Sequence, residues 1–436
     1  MDTLVIYAPH TSNRLNFVLE WLFKERLHIA YRVTDNEQEA TKESLLIAYG
    51  KALPGSISIP DNGLLWQKGI SSHDVKPGTW NDLPVIYSVD NQDFTLPFDL
   101  FSALFFLLSR YEEYYPYKPD KHERYPAQAS VLYKNGCLQR PLVDEWVAAF
   151  RVLLQAKMGI KIEPSQFLFL PTYDIDMAYS YLHKGAIRMV GAYLRAFLKF
   201  DFRQINERTD VLKRKQKDPY DSFRWLRQLH KEYGFKPTYF ILSALAPGKF
   251  DKNIHPEHPA MVRVIKNLAK EAAVGIHPSY YSGQGDTMSK EKGVLEQVAG
   301  RKTEISRQHY IRHKAPDTWR LLIKNGINHD YSMGYGAHLG FRAGTGSSFK
   351  WYDIENEAIT SLRLHPFCFM DSTAHYEGKL SATDAFAKLD EMSKKLERCG
   401  GVLVTVFHNF ILGTDNEFRG WRHGYENFMH EKSKLL

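Results

Sequence analysis

Apolar and polar positions divide the chain into two stretches with different rhythms. Leu4 to Tyr7 is a short apolar run that reads as a strand, Arg14 to Arg26 carries apolar residues at helical spacing, and Ile29 to Val33 and Ser44 to Tyr49 read as further strands. A polar middle containing Pro and Gly is followed by two helical stretches, Asp99 to Tyr114 and Val143 to Met158; Gly159 closes the second, and Glu163-Pro164-Ser165 forms a linker. Beyond it, strand signals at Phe167 to Tyr173, Thr238 to Ser243, Ala272 to Ile276, Ile327 to Tyr331, Leu339 to Arg342, Leu362 to Phe369 and Val402 to Phe407 alternate with helical ones. The helices are predicted at Ser222 to Tyr233, Ala260 to Glu271, Asp317 to Asn325 and Ala382 to Cys399, and three of them run into Gly234, Gly326 and Gly400, which suit a left-handed cap. Repeated strand–helix units predict an α/β protein with a parallel sheet or barrel in its C-terminal part. No internal repeat or low-complexity segment is visible.

At 436 residues the chain exceeds the size at which single cores stop growing, so two domains are expected, 1–163 as a smaller α/β unit and 164–436 as the barrel unit. With 44% hydrophobic and 25% charged residues it has the composition of a soluble globular protein. The net charge of +7 is spread along the chain, and its one dense run, Lys213-Arg214-Lys215-Gln216-Lys217, lacks interleaved aromatics and reads as a solvated loop or helix end. Nucleic acid is therefore not an expected partner. Cys137, Cys368 and Cys399 lie far apart with no Cys-x-x-Cys pair, which fits a reducing, cytoplasmic setting and neither a disulfide framework nor a zinc knuckle. The start, Met1-Asp2-Thr3-Leu4, shows no secretory signal. The longest apolar stretch, Leu100 to Leu108, is far shorter than the ~20 residues of a membrane span and reads as a buried core helix.

Candidate chemistry begins where the first strand of the second stretch ends. In Phe167-Leu168-Phe169-Leu170-Pro171-Thr172-Tyr173-Asp174-Ile175-Asp176 the two acids are two residues apart, so on extended backbone their carboxylates point to one side. Such a pair can hold a cation, poise a base or do both; it also occurs in solvated turns and helix caps. Four later apolar runs end in polar groups as well: His277-Pro278-Ser279-Tyr280, Arg342-Ala343-Gly344-Thr345, Asp371, and His408-Asn409. Strand ends carrying Asp, His, Arg, Asp and His are compatible with a hydrolytic site.

In this order the segments resemble the polysaccharide deacetylases of carbohydrate esterase family 4, over roughly residues 165 to 410. The resemblance implies an irregular (β/α)7-type barrel and a divalent metal, with zinc the first choice. It implies removal of acetyl groups from N-acetylated sugars or polysaccharide. Asp174 would be the base, Asp176 and His277 metal ligands, Arg342 the group that orients the base, His408 the general acid and Asp371 the carboxylate behind it. Two departures stand out: Ile175 separates acids that are adjacent in the family, and Tyr281 stands four residues after His277 where a second histidine is usual. His309, in Ser306-Arg307-Gln308-His309-Tyr310, is the first replacement ligand and His365 the second. Backbone N–H groups near Gly344 are candidates for an oxyanion site, and Tyr280, Tyr281, Tyr335 and Trp351 for stacking on sugars. The segment Phe101 to Tyr115 resembles an uncharacterised domain that precedes some deacetylase-like domains, and its Tyr, Glu and Arg residues could line a sugar site or form a domain interface, the interface being the favoured reading.

Other readings of the same residues stay open. Arg342 can pair with Asp353, Asp371 can cap the segment from Ser372, and His309 can lie on a polar surface. A metal-dependent glycosyltransferase could use Asp174-Ile175-Asp176, though the first part holds no Gly-rich phosphate loop. A carbohydrate-binding protein without turnover is the third function class.

Overall fold

The computed structural model describes residues 3–435. The first apolar runs form a parallel sheet of β1 (Leu4–Tyr7), β2 (Tyr31–Thr34), β3 (Leu46–Tyr49) and β4 (Ile57–Ile59), in the order β2-β1-β3-β4. β1 and β3 are buried along their whole length, which is why they read as continuous apolar runs. An antiparallel hairpin follows, β5 (Pro77–Trp80) with β6 (Leu83–Ile86). The helix Leu100–Leu108 is buried on every side, as its all-apolar sequence requires, and Asp99 caps it by accepting the Ser102 N–H. The helix Leu142–Met158 ends at Gly159 in the left-handed conformation.

The second part is built on β7 (Leu168–Ile175), β8 (Thr238–Leu242), β9 (Ala273–His277), β10 (Ile305–Ser306), β11 (His329–Met333), β12 (Phe349–Asp353), β13 (Ala358–Pro366), β14 (Phe369–Met370) and β15 (Val402–His408). They form one nine-stranded sheet in the order β12-β13-β11-β10-β9-β8-β7-β15-β14, parallel except for β12. The sheet curls into a half-barrel. On a flat sheet β10 and β7 would stand about 14 Å apart, yet Arg307 just after β10 reaches both Thr172 and Asp174 on β7. Pro171 is tolerated in the middle of β7 because β8 pairs only from Thr172 onward, so the missing N–H faces no ladder on that side. Gly275 allows β10 to approach β9, since a Cβ there would stand 2.8 Å from the Ile305 carbonyl oxygen.

Three differences from the sequence pattern have local causes. Leu339 to Arg342 is a loop, not a strand: Gly340 has φ +143°, and Phe341 N–H bonds to Leu138 O in the first part. The short strands β10 and β14 are two residues each, too brief to show periodicity. Helices at Ala186–Leu198, Phe202–Leu212, Thr287–Ala299 and Trp421–Ser433 add to those expected. Both parts share one hydrophobic cluster, in which Phe105 meets Tyr352 edge-on at 5.0 Å between ring centroids.

Candidate active site

The C-terminal ends of the parallel strands converge on a cavity of about 350 Å³ lined by Asp174, Asp176, His277, His309 and His408. Such strand ends are where open and closed parallel sheets place their chemistry, because successive loops can aim side chains at one point. Asp176 is the centre: its Oδ1 lies 3.2 Å from His277 Nε2, and its Oδ2 lies 3.5 Å from the Nε2 atoms of both His309 and His408. One atom each from Asp176, His277 and His309 falls within 4.8 Å of the others.

The outer nitrogens of both imidazoles are fixed. His277 Nδ1 donates to the Arg307 carbonyl at 2.6 Å and His309 Nδ1 to Asp251 Oδ1 at 3.0 Å, so each ring is turned with its Nε2 towards Asp176. Asp251 is itself held by the Tyr280 N–H at 2.9 Å. Asp176 Oδ1 is buried yet accepts no hydrogen bond. An orphaned carboxylate oxygen facing two oriented imidazoles is a donor set that fits a divalent cation such as zinc. Burial alone would raise the Asp176 carboxyl, but the charge of His309 and contacts with both histidines hold it well below the usual carboxylate range. Burial alone would likewise lower His309, and the Asp176 carboxylate outweighs it, raising that imidazole to about 9. The cluster thus attracts positive charge.

Two further pairs flank this trio. Asp174 Oδ1 accepts from Arg307 Nη1 at 2.8 Å, and its Oδ2 faces His277 Nε2 at 3.8 Å. Arg307 is fully buried and held from four sides: by Asp174, by Thr172 Oγ1 at 2.8 Å, by the Tyr331 carbonyl at 2.9 Å and by the Phe240 ring beneath it at 4.4 Å. On the other side, Asp371 Oδ1 bonds to His408 Nδ1 at 2.5 Å, while its Oδ2 accepts the His408 N–H at 2.6 Å. Asp371 Oδ1 also accepts the N–H of the adjacent Ser372 at 2.6 Å, and the helical segment that follows has no side-chain cap. Burial would lower His408, but the Asp371 carboxylate outweighs it and raises the imidazole to about 9.

Arg342 is not at this site, which corrects its expected role. It grips Glu113 through Nε at 2.8 Å and Nη2 at 2.6 Å, because the loop carrying it turns towards the first part. The guanidinium on Asp174 belongs to Arg307, which the sequence shows only as a neighbour of His309. Asp353, the other partner considered for Arg342, pairs with Arg320. Gly344 is packed against Val143, Leu107 and Leu132 and lines no cavity with Asp174, which corrects the oxyanion expectation. His365 bonds to His329 at 2.9 Å and stacks on Tyr331, and burial pushes it down to about 3. Tyr281 is half exposed and does not line the cavity, and Tyr335 and Trp351 are buried in the core. Asp251 had no signal in the sequence: it follows Lys249-Phe250 in a loop of no periodicity.

The cavity also takes residues from the first part of the chain. Lys121, His122 and Arg124 line it, with His122 Nδ1 bonded to Tyr280 OH at 3.0 Å and Arg124 Nη1 to the Tyr310 carbonyl at 2.7 Å.

Residues 4–159 match the model of a family of unknown function, DUF7033. No curated protein matches the chain. Among solved structures, a Mycobacterium smegmatis protein named as a polysaccharide deacetylase aligns at 14% identity and TM-score 0.39, over 62% of this chain and 85% of that one. The polysaccharide deacetylase Bc1974 from Bacillus cereus aligns at 11% identity and TM-score 0.30, over 61% and 88%. The Puue allantoinase aligns at 12% identity and TM-score 0.39, over 62% and 84%. At these identities and scores no residue role is carried across from them.

Proposed function

We propose that this chain is a metal-dependent hydrolase that removes acetyl groups from N-acetylated sugars or polysaccharide, with Asp176, His277 and His309 as metal ligands. The observation that supports this reading is that an oriented donor trio, a buried carboxylate on an arginine and a carboxylate-backed histidine share one cavity. We extend the reading to the division of the chain, with residues 1–163 as a unit that closes one wall of the site and 164–436 as the hydrolase unit.

Each group has a chemical task that its contacts prepare. A divalent cation bound by the trio supplies polarisation of the amide carbonyl and acidification of water. Asp174 takes the proton of the attacking water, and Arg307 keeps its carboxylate ionised and aimed by a charge-assisted bond. His408 carries a proton at neutral pH, and with Nδ1 committed to Asp371 it delivers that proton from Nε2 to the departing amine. An amine is too basic to leave unprotonated, so this step decides whether the tetrahedral species goes forward.

Bound metal and acetate release from N-acetylglucosamine oligomers, measured together, test the reading. Asp176→Ala and His277→Ala should each lose both while keeping the parent's circular dichroism. Metal content unchanged in both variants would refute the ligand assignment.

A further inference from the structure

The insert between β7 and β8 carries a surface that the proposed chemistry does not use. Its roots are fixed at the cavity. Asp218 accepts the N–H groups of Ser180, Tyr181 and Leu182 at 2.7, 2.8 and 3.0 Å, and Asn409, next to His408, donates to the carbonyls of Met177 and Tyr220 at 3.0 and 2.9 Å. Met177 and Tyr220 line the cavity, so the insert rises from the mouth of the site. Its two helices, Ala186–Leu198 and Phe202–Leu212, are tied by Tyr193 OH to Thr209 Oγ1 at 3.0 Å and by Arg208 over the Tyr181 and Tyr193 rings.

A surface helix normally turns its large apolar side chains inward. This one is reversed. Val190, Leu194, Phe197 and Leu198 share one helical face and are 68, 58, 57 and 68% exposed, followed by Phe200 at 77% and Phe202 at 54%. The inward positions are Ala192, Tyr193 and Ala196. Of the fourteen large hydrophobic side chains exposed among the described residues, six fall between positions 190 and 202, which makes a patch and not scatter. Arg195, Lys199 and Arg203 stand exposed around it. Asp201 is the one acid from 186 to 203, and its carboxylate is taken up capping the second helix through the Gln204 N–H at 3.0 Å.

We propose that this helical hairpin docks the protein on an anionic phospholipid bilayer. Apolar side chains enter the headgroup boundary while the basic ring meets the phosphates, the arrangement of an interfacial helix. A second copy is the weaker occupant, because a two-fold contact would set the same basic ring against itself. Among the described residues no helix is long and apolar enough to cross a membrane. Combined with the hydrolase reading, on which this step rests, docking at the mouth of the site assigns an N-acetylated saccharide carried on a lipid anchor as the substrate class.

The test is sedimentation of the full chain with vesicles of phosphatidylglycerol mixed with phosphatidylcholine, against phosphatidylcholine alone. The parent should bind the anionic vesicles more tightly. Joint Arg195→Gln, Lys199→Gln and Arg203→Gln substitution should remove that preference, at about five-fold per residue. Phe197→Ser with Phe200→Ser should weaken binding to either vesicle by at least about ten-fold. These residues are exposed, so unchanged circular dichroism is expected and shows that folding is not the cause. No binding to anionic vesicles, binding that survives both sets of substitutions, or a parent dimer that the Phe variants dissociate without any vesicle binding would each overturn the proposal. His309→Ala should bind vesicles like the parent while losing turnover; a parent protein that docks without any turnover would sink the hydrolase reading and leave the surface standing.

Discussion

Replacing Arg342 by Met decides which guanidinium belongs to the catalytic pocket. Arg342 and Glu113 are both buried and joined by two bonds, and Arg110 Nε adds a third to Glu113 Oε1 at 2.7 Å. Burial alone would raise the Glu113 carboxyl, yet Arg342 and Arg110 outweigh it and pull it from 4.5 down to about 2. That displacement corresponds to about 3 kcal/mol of folding free energy. Removing one partner of a buried ion pair costs about 3–5 kcal/mol, and because Arg110 stays, the lower end is expected. Since the folded carboxyl lies below its unfolded value, the stabilisation is complete above about 4.5 and fades as pH falls towards 2. Urea unfolding of parent and Arg342→Met should therefore differ by about 3 kcal/mol at neutral pH, with the gap narrowing through that acid window. Acetate release per folded molecule should be unchanged, because Arg342 touches Glu113 and the Gly334 carbonyl but not Asp174. Unaltered stability together with collapsed turnover would return Arg342 to the site.

The same logic makes Arg307→Met costly in both respects: it strands the buried Asp174 carboxylate, so about 3–5 kcal/mol of stability should be lost along with turnover, and a variant as stable as the parent in urea would refute the pairing. His408→Ala should keep metal and substrate affinity while losing about 10²–10⁴ in kcat on amides, and less on activated acetate esters whose leaving group needs no proton; equal losses on both would count against a general acid. Asp251→Ala, which frees His309 Nδ1, should weaken metal affinity about 10–100-fold, whereas Tyr281→Phe and His365→Ala should leave it unchanged; competition with a chelator reads all three. Gly275→Ala should cost about 1–3 kcal/mol in urea, because its Cβ would press on Phe240 and β10, and a neutral result would mean that β10 sits further away.

What was legible in the sequence follows the length scale of each signal. β7, β9 and β15 are apolar runs that end in ionisable residues, and a run of that length with such an end is visible without any tertiary information. Asp174, Asp176, His277, Asp371 and His408 could all be found this way because each lies within a residue of a strand end. Arg342 also followed an apolar run, and the rule failed there because Leu339 to Phe341 packs as a loop against Leu138. Burial alone makes a segment apolar, so the pattern cannot separate a strand from a buried loop. Arg307 and Asp251 were missed for the opposite reason: their elements are a two-residue strand and a loop, and what selects them is distance in space. The inverted helix at Ala186–Leu198 has a normal period but an abnormal direction, and period alone does not say which face meets the core.

The turn that delivers His309 shows why the first part of the chain matters to the chemistry of the second. Tyr310 and Ile311 follow at φ +59° and +53°, a left-handed conformation that is unfavourable for a non-glycine residue and most of all for a β-branched one. Such a turn persists only when its surroundings over-determine it. The Ile311 N–H bonds to Gln308 O at 2.8 Å, the Gln308 N–H to Ser332 Oγ at 2.8 Å, and Arg124 from the first part clamps the Tyr310 carbonyl at 2.7 Å. Arg124 is buried, paired with Asp120 at 2.7 Å, and fits because Gly336 has no Cβ to collide with it. The strained turn is therefore held from outside the sheet that carries the other candidate ligands. The position of His309 Nε2 then depends on contacts between two stretches of sequence more than 180 residues apart, as the separation of 186 between Arg124 and Tyr310 records. This dependence gives a physical reason for Lys121, His122 and Arg124 to line the cavity: the segment that carries them also holds the turn that follows the third member of the donor trio.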